Sequence, residues 1–449
     1  MGTVVTHVQV SAEPGSGTTE PSQGERRKAV VSSFIGNFVE WFDYGAYSYL
    51  AVTIGLAFFH GDVENSTFMA FVLFAMSFLV RPFGAFFWGY WGDKHGRTRT
   101  LAWSILLMSG ATFCIGILPG SQSIGIAAPL LLLLFRMVQG FSAAGEYAGA
   151  SALLTEYAPR EKRGIYAAVV PGSTATGLLM GSLFATVLYG TLSNEAMEAW
   201  GWRVPFLLAA PLGLIGLYIR RQIADTPAFR KNLDRREMPA GRAGKPVFPF
   251  RQLIIGQPKQ LLQGFGIVLL NAVGFYVVLT FMPTYMSEQL GYDTAAAQFA
   301  TTLSLLTYIS FIFLTGFIAD KIGRRNTLIL ASATFILLSL PAFMVMNTGH
   351  YWLAVVVLIV MGGFLSLNDG ALPSAICELY PTAVRFTGFA LVFNVGNAFF
   401  GGPMSAVNTW LINSTGNTMW PAYILMGAAA IALGAVLWSR DNSKRDIAY

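Results

Sequence analysis

The chain has 449 residues, of which 54% are hydrophobic and only 12% are charged, and its formal net charge is +6. Soluble domains carry about twice that charged fraction, and a single soluble core stops growing at roughly 250–300 residues. The composition therefore excludes an ordinary soluble protein and predicts that much of the apolar surface faces lipid.

Twelve apolar segments are each long enough to cross a membrane as a helix. About 20 mostly apolar residues span the roughly 30 Å hydrocarbon core, and a helix satisfies its own backbone hydrogen bonds there. In chain order the segments lie near residues 30–58, 66–91, 100–119, 126–156, 164–192, 203–221, 261–286, 295–319, 326–346, 351–376, 386–412 and 419–438. The pattern predicts an all-α integral membrane protein with twelve transmembrane helices.

A polar stretch divides the segments into two groups of six. We predict five regions: a disordered cytoplasmic tail of residues 1–28, an N-terminal six-helix bundle of 29–221, a cytoplasmic linker of 222–260, a C-terminal six-helix bundle of 261–438 and a cytoplasmic tail of 439–449.

The distribution of lysine and arginine predicts the orientation. Basic residues such as Lys94, Arg160 and Arg440 lie in the tails and on one side of the segments, whereas the loops on the other side hold acids such as Glu64 and Asp293. Basic loops stay on the cytoplasmic side. We expect a multi-pass protein of the cell membrane with both termini in the cytoplasm. The absence of an aromatic-interleaved basic patch argues against nucleic-acid binding.

Two motifs occur once in each half at nearly the same offset. Residues 89–97 read GYWGDKHGR after the second segment, and 316–324 read GFIADKIGR after the eighth. Glu156-x-x-Pro159-x-x-x-Arg163 likewise matches Glu378-x-x-Pro381-x-x-x-Arg385. The chain is therefore predicted to be two six-helix pseudo-repeats, an arrangement common in secondary transporters.

With these motifs the sequence resembles the major facilitator superfamily. The G-x-x-x-D-x-x-G-R pattern in both halves and Arg136-x-x-Gln139-Gly140 in the fourth segment are similar to its signatures. The stretches GNFVEWFDY at 36–44, RPFG at 81–84 and GWRVPF at 201–206 resemble its metabolite:proton symporters. The resemblance extends over about residues 26–440 and implies the major facilitator fold.

Within that family the sequence is most similar to proline/glycine-betaine:proton symporters, through GEYAGAS at 145–151, TPAF at 226–229 and LTFMPTY at 279–285. This resemblance implies proton-coupled uptake of a small polar metabolite by alternating access, best a zwitterionic osmolyte such as proline or glycine betaine. It implies that the protein is a monomer in the lipid bilayer, that the proton gradient drives transport and that no cofactor is needed.

Five charged residues lie within the predicted spans of the N-terminal half: Glu40, Asp43, Glu146, Arg81 and Arg136. Charges near the bilayer centre are costly and usually functional. A buried carboxylate whose affinity for protons is altered by a nearby cation can carry a coupling proton. We therefore predict that one of the three acids carries the proton and that an arginine competes with the proton for it. The alternative is a permanently paired cluster that fixes helix packing.

A zwitterionic substrate needs a partner at each end. Arg81 or Arg136 can bind a carboxylate through two parallel hydrogen bonds, and Trp41, Tyr44 or Tyr147 can face a cation with its ring, although packing alone would also explain each aromatic residue. Polar residues of the C-terminal half complete the predicted substrate site: Asn271, Tyr276, Asp369 and Asn394. Asp369 is interpreted as either a cavity residue or an inner-gate residue.

The duplicated motifs predict a gate. Asp93, Arg97, Asp320 and Arg324 lie at helix ends, where charges can pair across the halves, and the family resemblance implies that they hold the cytoplasmic side closed. Topology alone would explain the arginines but not the aspartates. Four further residues are predicted to join this network: Glu156, Arg163, Glu378 and Arg385.

Several other functions fit the sequence less well. The four histidines lie in the tail or near helix ends, the two cysteines lie in or beside apolar segments, and neither H-E-x-x-H nor a G-x-x-x-x-G-K-[ST] loop occurs, which argues against an enzyme, a metal site and an ATP-driven pump. The remaining alternatives are a mono-, di- or tricarboxylate:proton symporter and a drug exporter of the same fold.

Overall fold

The computed structural model of the protein describes residues 22–59, 62–95, 97–221, 249–381 and 385–440. For residues 89–90, 92–95, 97–102, 219–221, 249–252 and 386 it describes only the backbone. The candidate gate residues Asp93 and Arg97 belong to this group.

The N-terminal half contains six helical spans, several of which are interrupted. They are α1 (Gln23–Tyr49 and Ala51–Phe58), α2 (Val63–Leu79 and Arg81–His95), α3 (Arg97–Ile117), α4 (Ala127–Ala143 and Glu146–Tyr157), α5 (Arg163–Ala167 and Val169–Thr191) and α6 (Val204–Arg221). Short helices at Ser121–Ile124 and Asn194–Ala199 lie in the connections.

The C-terminal half repeats this arrangement. Its spans are α7 (Pro258–Tyr276, Val277–Phe281, Met282–Thr284 and Tyr285–Gln289), α8 (Thr294–Ile322), α9 (Arg324–Met346), α10 (Tyr351–Leu379), α11 (Arg385–Gly396, Asn397–Gly401 and Met404–Thr415) and α12 (Trp420–Trp438). The described residues contain no β-strand.

Each of the twelve predicted spans is thus helical. Nine helices within the described residues are long and apolar enough to cross a membrane. In α3 the apolar part is the shorter segment Trp103–Ile117. The first span contains Glu40 and Asp43 and is interrupted at Leu50, and α11 changes to π-helix in the middle.

Helical structure extends beyond two of the predicted region boundaries. The first helix begins at Gln23, because the Ser22 hydroxyl accepts a hydrogen bond from the Glu25 amide and the Glu25 side chain accepts one from the Ser22 amide. Such a capping box satisfies the free amides of a first turn. Part of the predicted linker is also helical, at Pro249–Gly256, and α7 begins at Pro258. Residues 222–248 lie outside the described residues.

Glycines allow α1 and α5 to pack backbone against backbone. A Cβ atom at Gly177 would lie 2.6 Å from the Phe38 carbonyl oxygen, and one at Gly181 would lie 2.8 Å from the Ala46 amide nitrogen. Both distances are shorter than real Cβ contacts, so only glycine fits. Small residues serve this purpose in membrane helix pairs, and here they fix the helix that contains Glu40 and Asp43.

Candidate functional site

A buried ion pair joins α1 and α2 at the centre of the N-terminal half. The Arg81 Nη2 atom donates a hydrogen bond to Glu40 Oε1 at 2.8 Å, and both side chains are almost fully buried. Arg81 begins the second segment of α2, directly after the break at Val80. The structure therefore pairs two of the residues that the sequence singled out.

Aromatic rings surround the Arg81 guanidinium group. Its central carbon lies 4.4 Å from the Phe78 ring centroid, 4.8 Å from that of Tyr44 and 5.8 Å from that of Trp41. Cations are attracted to the faces of such rings, and the attraction is stronger away from water. We call Trp41, Tyr44, Phe78 and Tyr276 the aromatic cage.

Tyr276 of α7 closes the cage from the C-terminal half. Its ring centroid lies 5.2 Å from that of Phe78 and 6.2 Å from that of Trp41. Among the described residues, the Trp41 Nε1 atom and the Tyr276 hydroxyl have no hydrogen-bond partner, although both are buried. Buried polar groups nearly always have a partner in native proteins. The cage therefore contains two unsatisfied polar groups at the boundary between the halves.

Asp43 and Arg136 form a second, looser pair. Arg136 Nη1 lies 3.6 Å from Asp43 Oδ2, whereas the same nitrogen donates to Gln139 Oε1 at 2.7 Å. The guanidinium carbon lies 4.1 Å from the Tyr47 ring centroid. All these contacts lie within the N-terminal half, so the structure places Arg136 in the interior of one half and Arg81 at its boundary.

Glu146 lies close to the Glu40 carboxylate. It begins the second segment of α4, after the break at Gly145. Glu40, Glu146, Ser104 and Ser142 line a common cavity of about 10 Å³, which is room for roughly one water molecule. The structure therefore brings together two of the three acids that were predicted to carry a proton.

Tyr147 and Asn394 lie where α4 meets α11. The Tyr147 ring stacks on the Phe393 ring, with centroids 4.1 Å apart. Asn394 Nδ2 donates to the Ala144 carbonyl oxygen at 2.9 Å. Both predicted substrate residues thus hold the halves together.

Asp369 and Asn271 meet in a buried cluster of the C-terminal half. Asn271 Nδ2 and Asn368 Nδ2 donate to Asp369 Oδ1 at 2.8 and 2.9 Å, and the Tyr308 hydroxyl donates to Asp369 Oδ2 at 2.7 Å. Tyr308 was not among the predicted site residues, because a tyrosine in an apolar helix gives no sign of its partner.

The basic end of the bundle, where Asp320, Arg324 and Arg385 lie, is closed by contacts between the halves. Asp320 of α8 accepts hydrogen bonds from the Gly164 amide at 2.8 Å and the Ile165 amide at 3.1 Å. These amides belong to the first turn of α5, where free amides attract a carboxylate. The partner of Asp320 in the other half is thus the N-terminus of α5. The comparison of the two repeated motifs did not predict this partner.

Arginines extend this contact. Arg324 pairs with Asp320 at 2.7 Å and with Glu378 at 3.5 Å. Arg385 pairs with Glu156 of the other half at 3.3 Å, and its Nε atom donates to the Cys377 carbonyl oxygen. Arg163 is buried beside Asp320. The structure thus places six of the eight predicted gate residues in one region.

The opposite end, around Thr67 and Glu288, is closed as well. The Thr67 hydroxyl donates to Glu288 Oε1 at 2.8 Å. Gln298 Nε2 donates to the Tyr49 carbonyl oxygen at 2.9 Å, and the Tyr49 hydroxyl donates to the Leu279 carbonyl oxygen. Because both ends are closed, the aromatic cage is occluded. These residues were not predicted from the sequence, since neither motif nor repeat marks them.

Comparison with known proteins shows several similar sequences. The glycine betaine/proline/ectoine/pipecolic acid transporter OusA of Dickeya dadantii is 36% identical over 430 residues, which cover 94% of this chain and 85% of the relative. The proline/betaine transporter of Escherichia coli K12 is 35% identical over 431 residues with the same coverage. The ectoine/proline transporter ProP of Corynebacterium glutamicum is 36% identical over 439 residues, again with that coverage.

Solved structures show the same fold. The proton:xylose symporter XylE bound to 6-bromo-6-deoxy-D-glucose matches with a TM-score of 0.73 and 16% identity, over 93% of this chain and 96% of that one. The family model of the Major Facilitator Superfamily matches residues 33–397 and 264–447. The predicted fold is therefore confirmed, and the protein is a multi-pass membrane transporter rather than an enzyme. The chain belongs to the major facilitator superfamily.

Proposed function

We propose that this protein is a proton-coupled symporter that takes up a small zwitterionic solute, of which proline and glycine betaine are the best candidates. The observation that carries the proposal is the Glu40–Arg81 ion pair, which lies inside an aromatic cage at the boundary between the halves. The printed names of the relatives, which are proline, betaine and ectoine transporters, support the choice of solute.

The two ends of a zwitterion have matching groups in this site. The planar guanidinium of Arg81 suits a carboxylate, because it donates two parallel hydrogen bonds. The rings of Trp41, Tyr44 and Tyr276 suit a quaternary or secondary ammonium group. In the closed form the guanidinium itself occupies the cage, so we propose that the solute displaces it.

Glu40 provides the coupling in this proposal. Arg81 cannot pair fully with Glu40 and with a substrate carboxylate at once. Protonation of Glu40 removes its charge, leaves Arg81 without a counter-anion and so favours binding of the substrate carboxylate. Release of the proton restores the ion pair and expels the solute. Glu146, on the same small cavity, is a candidate for passing the proton to Glu40.

Alternating access requires that the two closed ends open in turn. We propose that the basic end faces the cytoplasm, as the positive-inside rule indicates, and that both termini lie there in the cell membrane. Breaking the Asp320 and Arg385 contacts would release the solute inward. Breaking the Thr67–Glu288 contact would admit it from outside. Rigid rocking of two bundles about a central site is the usual mechanism of such repeats.

Uptake into proteoliposomes tests the proposal. Labelled glycine betaine, proline and α-ketoglutarate would be offered with and without an imposed inward proton gradient. We expect gradient-dependent accumulation of betaine or proline, and loss of accumulation but not of solute exchange in Glu40→Gln. Accumulation of α-ketoglutarate alone would move the protein to the carboxylate symporters. Transport of none of these solutes would overturn the proposal.

A further inference from the structure

The buried cluster around Asp369 lies outside the Glu40–Arg81 site. Asp369 is fully buried in α10, and its three hydrogen-bond donors come from three helices: Asn271 of α7, Tyr308 of α8 and Asn368 of α10. All three donors are neutral. This composition differs from that of Glu40 and Asp43, which are also buried but lie 2.8 and 3.6 Å from arginine nitrogens.

Among the residues that the structure describes, no lysine or arginine forms an ion pair with Asp369. The titratable groups that face it are Tyr308 and Tyr147, from α8 and α4. Glu378, on the same helix, lies nine residues away, which is about 13 Å along the axis. A carboxylate charge in a lipid-embedded core is costly, and Asp369 has only neutral hydrogen-bond donors to offset that cost.

The hydrogen bonds suit both protonation states. Two amide groups donate to Oδ1, which is therefore an acceptor in either state. The partner of Oδ2 is the Tyr308 hydroxyl, and a hydroxyl can donate or accept. A proton on Oδ2 would reverse the direction of this hydrogen bond, and the Tyr308 hydroxyl hydrogen would turn away from Oδ2. The oxygen and nitrogen atoms of the cluster can therefore keep the same partners in either protonation state.

Aromatic contacts connect this cluster to the cage. The Tyr308 ring centroid lies 6.3 Å from that of Phe275, and the Phe275 centroid lies 5.2 Å from that of Trp41. One ring, that of Phe275, thus lies between Tyr308 and the Trp41 wall of the cage.

We propose that Asp369 is a second proton-binding site, separate from Glu40, which is protonated in the closed form and releases its proton when the C-terminal half opens to water. The inference rests on the proton-coupled transport proposed above and adds one proton to the transported charge. Because the site lies in the other half, its proton and that of Glu40 are bound on opposite sides of the boundary at which the solute binds.

Infrared spectroscopy tests proton binding without any substrate. The purified protein in lipid nanodiscs would be compared with Asp369→Asn at neutral pH, in the region of the C=O stretch of protonated carboxyl groups. We expect one band that is missing in Asp369→Asn and is shifted, but retained, in Tyr308→Phe, which keeps the acid and removes one hydrogen bond. Identical spectra of the wild-type protein and Asp369→Asn, or an unshifted band in Tyr308→Phe, would refute the proposal.

The proton-to-solute ratio tests its role in transport. The ratio would be measured from the membrane potential at which solute flux into proteoliposomes stops. Asparagine resembles the protonated acid, so the proton-to-solute ratio of Asp369→Asn should fall by one, whereas Tyr308→Phe, which keeps the acid, should retain the wild-type ratio. An unchanged ratio would contradict the proposal, as would loss of solute binding, which would assign the charge to the solute instead. If no solute is transported, the proposed function fails, and the infrared band still decides whether Asp369 binds a proton.

Discussion

Arg81 is held by two kinds of interaction that a ligand can replace. Its carboxylate partner lies 2.8 Å away, and three aromatic faces surround the guanidinium group. A buried charge without a partner is strongly destabilising, by about 3–5 kcal/mol when one member of a pair is removed. An Arg81 without an anion is therefore costly, and in the proposed mechanism this cost drives a substrate carboxylate to take the place of Glu40 once Glu40 is neutral.

The shape of the guanidinium group matters as well as its charge. Lysine at position 81 retains the charge but loses the two parallel donors. We expect Arg81→Lys to raise the KM for glycine betaine about tenfold or more, which corresponds to roughly 1.4 kcal/mol of lost binding. Initial rates of uptake into proteoliposomes measure this effect.

Arg136 provides the matched control. It is equally buried, and among the described residues its hydrogen bonds, ion pair and ring contacts all lie within the N-terminal half. Its contact with the cage is the Tyr44 ring, 5.0 Å from the guanidinium carbon. Arg136→Lys should lower the thermal unfolding temperature and leave the KM of the folded protein nearly unchanged. A larger KM change in Arg136→Lys than in Arg81→Lys would mean that Arg136, and not Arg81, binds the substrate carboxylate.

The cage also predicts a difference between solutes. Glycine betaine carries a quaternary ammonium that interacts only with ring faces, whereas proline carries N–H donors. Trp41→Leu should raise the KM for betaine by roughly five- to thirtyfold, the value of a desolvated cation–π contact, and the KM for proline less. Competitive uptake of the two labelled solutes measures the ratio.

Phe42 serves as the comparison for Trp41. It is also buried on α1 but packs against Phe184 within the same half. Phe42→Leu should therefore change both KM values equally. If Trp41→Leu also changes the KM for betaine and the KM for proline by the same factor, the Trp41 ring acts through packing and not through a cation–π contact.

The sequence was sufficient to single out the charged residues that lie at the cage but not to predict how they pair. The cost of a charge in lipid singles out Glu40 and Arg81 wherever the helices pack. Tyr308 and Thr67 have no such cost, because hydroxyl groups are common in spans and bond to their own helix. Their roles depend on contacts more than 60 residues away in the chain, which no local pattern encodes.

At the level of secondary structure, the sequence predicts the helices but not the positions at which they are interrupted. Span positions were predictable because bilayer thickness fixes the helix length. The interruptions of α4 at Gly145 and of α7 and α11 at their π segments were not, because they depend on packing across the halves. Such segments often occur at functional sites, and here they lie beside the cage and the α4–α11 contact.

Helix α8 has an aspartate at each end, and the two have different roles. Asp293 accepts hydrogen bonds from the Ala295 and Ala296 amides of its own helix, whereas Asp320 accepts them from Gly164 and Ile165 of the other half. The first caps a helix. The second joins the halves at the basic end.

Replacing Asp320 should therefore open the basic end. Asp320→Asn removes the charge that pairs with Arg324 and weakens the bonds to the α5 amides. Spin labels at the exposed positions Glu161 and Ile322, in a background without Cys114 and Cys377, report the separation of the halves. We expect a longer distance, or a larger population at long distance, than in the unsubstituted background.

Asp293→Asn is the control at the other end of the same helix. It weakens two hydrogen bonds to backbone amides, as Asp320→Asn does, but these amides belong to α8 itself and not to the other half. The distance between labels at 161 and 322 should stay unchanged. An equal increase in both variants would mean that loosening of α8, rather than loss of the gate, moves the labels.

In the whole molecule, the contacts that close the basic end compete with the contacts that close the opposite end. The halves meet through Asp320 and Arg385 at one end and through Thr67 and Gln298 at the other. In a rocking mechanism each closure stabilises the form that is open at the other end. Any change that weakens one closure therefore shifts the population toward opening at that end.

This competition predicts the behaviour of a double variant. Thr67→Val removes the hydrogen bond to Glu288 and should favour opening at the end where Thr67 lies, by about fivefold in population for a bond of roughly 1 kcal/mol. Labels at Asn65 and Asn413, both exposed there, should move apart in Thr67→Val. Adding Asp320→Asn should return them toward the original distance, because the basic end then opens instead. If the shifts at both ends simply add, the ends open independently, and the halves do not rock as rigid bodies.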